Sequence, residues 1–131
     1  MEHTTAFELS NPRVAVETYL EAFARHDLMR CLEFFAADAT LSFVSGTYKG
    51  REAIEQWHKD RFAADLKILR IDGVSTADDT VTVDLHVTSN RLRFFKIANL
   101  DGRATMHLEE GRIKELKFGL RLYDPFEGWG G

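Results

Sequence analysis

Apolar residues change their spacing midway along the chain. In the N-terminal half, Val16, Tyr19, Leu20 and Phe23 recur three and four residues apart, which lines one face of an α-helix. Asn11-Pro12 precedes this stripe, supplying an N-cap side chain and then a proline where its missing N–H costs nothing. Asp27 is placed to cap a second, shorter helix carrying Leu28, Cys31, Leu32 and Phe35. Thr40–Val44 reads as a short strand, with Gly46 and Gly50 as punctuation after it. A third helix is predicted from about Arg51 to Leu66, with Ile54, Trp57 and Phe62 on one face.

The C-terminal half alternates instead. Val81, Val83, Leu85 and Val87 point one way and Thr82, Asp84 and His86 the other. Ala104, Met106 and Leu108 oppose Thr105, His107 and Glu109; Leu116, Phe118, Leu120 and Leu122 oppose Glu115, Lys117, Gly119 and Arg121. These patterns predict antiparallel strands with one buried face. Glu110-Gly111 marks a tight turn between the last two, whereas Asp101-Gly102 fits either a hairpin turn or a bulge within one strand. Arg91, Arg93 and Lys96 alternate around Leu92, Phe94, Phe95 and Ile97, as a strand of the sheet or an extended flap near a pocket mouth. Helices followed by a meander give an α+β domain with the helices covering the apolar sheet face.

Composition narrows the function classes. The 131 residues suit one domain, and 44% hydrophobic with 29% charged residues is a globular balance. A net charge of -4 argues against a nucleic-acid surface. No apolar run approaches the roughly 20 residues of a membrane helix, and Met1-Glu2-His3-Thr4-Thr5 lacks the features of a signal peptide. The single cysteine, Cys31, excludes an internal disulfide and fits a reducing compartment. The expectation is a soluble cytoplasmic protein forming one domain over 1–131. Residues 1–10 are its N-terminal extension, and 124–131 an aromatic tail that docks across a pocket entrance or a partner subunit.

Five stretches in order, Tyr19-Leu20-Glu21-Ala22-Phe23, His26-Asp27-Leu28, Phe35-Ala36-Ala37-Asp38-Ala39-Thr40, Lys49-Gly50-Arg51-Glu52-Ala53-Ile54 and Glu110-Gly111-Arg112-Ile113, make the chain similar to the nuclear transport factor 2-like superfamily. The resemblance is to its SnoaL-like and ketosteroid isomerase-like branches. It implies a cone in which three N-terminal helices pack on a curved, mixed β-sheet and enclose a pocket, with the outer sheet face forming a homodimer near His86, His107, Lys117 and Arg121.

Function has to come from the site, because this scaffold hosts several chemistries and non-catalytic binders. A ketosteroid isomerase needs a carboxylate base and acidic donors at the developing oxyanion. The resemblance puts the base position on Phe43, the oxyanion tyrosine on Tyr19 and the assisting acid near Ala104. Only the tyrosine is present. SnoaL-like cyclases use an acid on the last strand, where this chain has Leu116-Lys117-Phe118-Gly119-Leu120, and the Asp–Arg–Asp positions of limonene epoxide hydrolases fall near Leu85, Val87 and Phe118. The expected pocket is therefore apolar, formed by Val83, Ala104, Met106, Leu116, Phe118 and Leu120 with Phe43 and Trp57. It suits a hydrophobic small molecule with no cofactor.

Among polar residues, His58 interrupts the stripe between Ile54 and Phe62. It is either a donor–acceptor partner of Tyr19 in the pocket or a core histidine satisfied by a backbone carbonyl. Arg61, on the same stripe, either meets a ligand oxygen or snorkels. Asp84, His86, His107 and Glu109 have ligand-type chemistry but lie on the polar strand face, so no metal is expected. Cys31 reads as core. Isomerisation, cyclisation or dehydration through Tyr19 and His58 stands beside a non-catalytic binding or association module.

Overall fold

The sequence signals at the helix ends are used as written. Asn11 accepts the backbone N–H groups of Arg13 and Val14 at the start of α1 (Pro12–Ala24), and Asp27 accepts that of Arg30 to cap α2 (Leu28–Glu33). Between them His26 takes a left-handed conformation, φ 56°, which turns the chain from one helix into the next. These features come from a computed structural model that describes residues 11–44, 46–96 and 100–120. The N-terminal extension (1–10), the aromatic tail (124–131), Arg121, Leu122 and Ile97 lie outside the described residues.

The remaining elements are β1 (Phe35–Phe43), β2 (Gly46–Lys49), α3 (Arg51–Ala63), β3 (Lys67–Ala77), β4 (Thr80–Thr88), α4 (Asn90–Phe94), β5 (Leu100–Glu109) and β6 (Arg112–Leu120). They form one six-stranded sheet in the order β2-β1-β6-β5-β4-β3, antiparallel except where β1 runs parallel to β6. The α+β fold with helices on a mixed sheet agrees with expectation. α1 packs on β3 and β4, α3 on β1 and β2, and α2 bridges the two longer helices.

Four local expectations are corrected. Phe35 does not belong to the second helix: Phe34 closes α2, and Phe35 pairs with Ile113 to start β1 well before Thr40. Long-range pairing overrides helical spacing there. The third helix stops at Ala63, because Asp65 turns left-handed at φ 55° and Leu66 N–H returns to the Arg61 carbonyl. The Arg91 segment is neither strand nor flap but the one-turn helix α4, capped by Ser89. Asp101-Gly102 is neither turn nor bulge: Gly102 sits in regular register between Leu85 and Leu120. A Cβ on Gly102 would lie 2.3 Å from Cζ of Phe118, so the glycine makes room for that ring.

Leu41, Ile54, Val81, Val83, Met106, Leu108 and Ile113 are fully buried between helices and sheet. At roughly 1.5–3 kcal/mol for each large side chain removed from water, this layer holds the helices on the strands. It also leaves the sheet's other face to polar residues.

Candidate functional site

Three elements bring Tyr19 and His58 together. α1 delivers Tyr19 and α3 delivers His58, while Phe35 from β1 closes on both rings at 5.4 and 5.5 Å. His58 is fully buried. Its Nδ1 lies 2.8 Å from the Ile54 carbonyl, which only accepts, so Nδ1 carries the proton. Its Nε2 is thereby an acceptor, 2.8 Å from the Tyr19 hydroxyl, which donates. Burial lowers the imidazole to a pKa of about 4, against the Ile54 bond that favours the charged form. Burial likewise pushes the Tyr19 phenol well above its usual range, helped by the Cys31 thiol. The pair is neutral and self-satisfied: His58 meets Tyr19 and is anchored to a backbone carbonyl.

Tyr19 lines an inner cavity and His58 does not. That cavity has a volume of about 50 Å³, walled by Leu20 and Phe23 of α1, Phe43, Trp57, the start of β3 and the inward residues of β4, β5 and β6. It is room for a few water-sized groups, well below an organic ligand. The predicted wall residues Phe43, Trp57, Ala104, Met106, Leu116 and Phe118 are all there. Val83 is not; it is fully buried and absent from the wall of this cavity.

Outside it lies a vestibule of about 400 Å³, lined by Phe43, Val44, Arg61, Ala64, Leu66, Val87, Ser89, Arg91, Leu92, Leu100, Phe118 and Leu120. Arg61 and Leu120, expected in the pocket, belong to this outer space. Phe43, Leu66, Val87 and Phe118 line both volumes and so stand between them. Phe43 and Phe118 are stacked, ring centroids 5.1 Å apart. The Arg61 guanidinium lies 5.3 Å from the Phe43 centroid and 5.9 Å from that of Trp57. Trp57 Nε1 and Arg61 Nε are buried donors that no partner satisfies among the described residues.

A family model described as the SnoaL-like domain matches residues 16–116. The chain belongs to the SnoaL-like family. No curated protein matches it significantly in sequence. Among solved structures it is similar to a nuclear transport factor 2-like protein of unknown function from Cytophaga hutchinsonii, at 15% identity and TM-score 0.71, covering 85% of this chain and 90% of that one. It is also similar to a candidate ketosteroid isomerase from Kribbella flavida, at 13% identity and TM-score 0.73, covering 89% and 85%. The epoxide hydrolase/cyclase-like enzyme SalBIII, of pyran ring formation in the polyether salinomycin, gives 18% identity and TM-score 0.72, covering 85% and 91%. At these identities the likeness shows the shared fold alone.

The polar sheet face of this SnoaL-like protein carries its carboxylates in pairs. His86 lies between Asp72 at 2.6 Å and Asp101 at 2.5 Å, and Asp84 pairs with Arg103 at 2.7 Å. His107 is 3.8 Å from Glu109. Among the described residues no three His, Cys, Asp or Glu side chains are grouped to share a metal ion. Cys31 is fully buried, and burial with the nearby Asp27 charge raises its thiol to about 12. No helix of the described residues is long and apolar enough to cross a membrane.

Several lining residues escaped the sequence reading. Leu85 and Val87 share the face of Val83 and were legible from alternation as inward residues. Leu66 and Ile68 sit where the chain enters β3, and Arg91 and Leu92 on α4; irregular spacing hid both elements.

Proposed function

We propose that this SnoaL-like protein binds a hydrophobic small molecule in the vestibule, with the inner cavity receiving its tip, and does no carboxylate-based acid–base chemistry on it. One observation carries the reading: an apolar space of useful size whose lining, among the described residues, contains no carboxylate. About 400 Å³ lies within the roughly 300–1,000 Å³ of small-molecule sites. General acid–base groups work best with a pKa near the operating pH. Here the imidazole is held near 4 and the phenol far above neutrality, so neither is poised.

The second reading is an enzyme in which Tyr19, backed by His58, polarises a bound carbonyl. The 2.8 Å bond and the place of Tyr19 in the inner wall favour it. It requires the hydroxyl to turn from His58 to the substrate.

Titration with Nile red, a neutral apolar fluorophore, tests the binding reading. Saturable binding at one site is expected, weakened at least tenfold by Ala64→Trp, which fills the vestibule from the rim without entering the core. Binding as strong in Ala64→Trp as in the parent refutes it. A turnover found on any bound carbonyl compound, and lost in both Tyr19→Phe and His58→Ala while binding persists, would replace it with the second reading.

A further inference from the structure

The vestibule has a chemical polarity that the apolar lining alone does not explain. Among the described residues its only charged lining side chains are Arg61 and Arg91, in a chain whose net charge is -4. Among the described residues neither guanidinium has a carboxylate partner, whereas Arg13, Arg30, Arg70, Arg93 and Arg103 all do. Arg61 is half-buried against the faces of Phe43 and Trp57, and its Nε is sealed from water with nothing to donate to among the described residues. A guanidinium held among apolar groups without an anion is costly, and so is a buried donor without an acceptor. A carboxylate arriving from the vestibule cancels the first penalty, accepting from the guanidinium Nη groups in the paired geometry arginine favours. Low-polarity walls strengthen that attraction.

We infer that the vestibule selects a hydrophobic molecule bearing a single carboxylate, its tail among Leu66, Leu92, Leu100 and Phe118 and its head gripped by Arg61 with Arg91 at the rim. The inference rests on the binding reading above and adds the class of ligand. Arg61 is the primary contact because it is oriented by two aromatic rings; exposed Arg91 adds long-range attraction and less specificity.

Displacement of Nile red by decanoate and by methyl decanoate separates the head from the tail. In the parent protein the acid displaces the dye at roughly tenfold lower concentration than the ester, the strength of one charge-assisted contact. Arg61→Gln brings acid and ester to within about twofold of each other, Arg61→Lys restores part of the preference, and Arg91→Gln narrows it a few-fold. Raising salt from about 20 to 500 mM shrinks the acid's advantage, with no effect on the ester. Equal displacement by acid and ester in the parent, with Ala64→Trp still blocking both, overturns the carboxylate inference and leaves the apolar site standing. Dye binding indifferent to Ala64→Trp overturns both. An acid preference that emerges only after Asp124→Asn and Glu127→Gln together assigns the arginines to the chain's own acidic tail, and also overturns it.

Discussion

The buried imidazole of His58 should make this protein lose stability on mild acidification. Unfolded, the ring titrates near the ordinary value of about 6.5; folded, burial holds it at about 4. Between those limits the unfolded chain binds a proton that the native state refuses, so stability falls as pH falls. The native pKa is depressed, and the group is neutral in the fold, so the loss begins near pH 6.5 and is complete near pH 4. At roughly 1.4 kcal/mol per unit, the full window is worth about 3 kcal/mol, and the interval from pH 7 to 5 about 2 kcal/mol. No discount for solvent applies, since the residue is fully buried. The carboxylates act in a lower window. Asp38, held low by its bond to Lys114, and Asp72, held low by Arg70, give up their contributions only below about pH 3.9. Urea unfolding at pH 7, 6 and 5 therefore isolates the histidine when the parent is compared with His58→Gln. The variant starts about 1–3 kcal/mol less stable at pH 7 through its lost Tyr19 bond. It should then decline about 2 kcal/mol less by pH 5, equivalent to roughly 6 °C in Tm. Parallel decline of the two proteins over pH 7–5 would show that the imidazole is not kept neutral by the fold, and with it the neutral Tyr19–His58 pair would fall.

Gly102→Ala should cost about 1–2 kcal/mol by chemical unfolding, because the new methyl drives the Phe118 ring off its stack with Phe43; an unchanged midpoint with unchanged aromatic circular dichroism would contradict the packing. Cys31 should react with Ellman's reagent at pH 8 at least ~1,000-fold more slowly in the native protein than in urea, since a thiol pushed to about 12 is almost never thiolate. Complete native labelling on the timescale of the unfolded control would place the thiol at the surface.

The elements readable in advance are those whose signals act locally. Asn11, Asp27 and the Glu110-Gly111 turn act on neighbouring backbone; the turn residues take φ 53° and 80°, as a tight hairpin demands. Strand β4 alternates without fault, and all its inward residues are buried. Strand β3 was hidden because it is an edge strand with register shifts between Ile68 and Arg70 and between Ile71 and Gly73, so its apolar residues keep no phase. Strand β6 slips at Lys114, the extra residue between Ile113 and Glu115, which buries Ile113 although Leu116 sets the opposite parity. The position of His58 in an apolar stripe suggests the polar pair, but Phe35, which packs on both rings, has helical spacing and yet belongs to β1 through its pairing with Ile113. Cavity volume was not legible at all: it is the small difference between enclosed space and the side chains filling it, and two stacked phenylalanines from distant strands decide it.

Those rings also connect the missing base to the kind of site that replaces it. Phe43, at the position the resemblance gave to a carboxylate, touches Trp57 at 5.2 Å, stacks on Phe118 and lies under Arg61. A carboxylate there could do none of these things except meet the arginine, and it would neutralise the half-buried cation that a ligand would otherwise meet. Under the proposal, the absent proton acceptor and an anion-receptive, apolar vestibule are thus two consequences of the same side chain. The inner cavity becomes too small for a substrate body, the charge moves to the mouth, and the carboxylates described on the sheet are kept on its opposite face in pairs with His86 and Arg103. On the proposed reading, a scaffold arranged this way holds an amphiphile by head and tail and moves no proton within it.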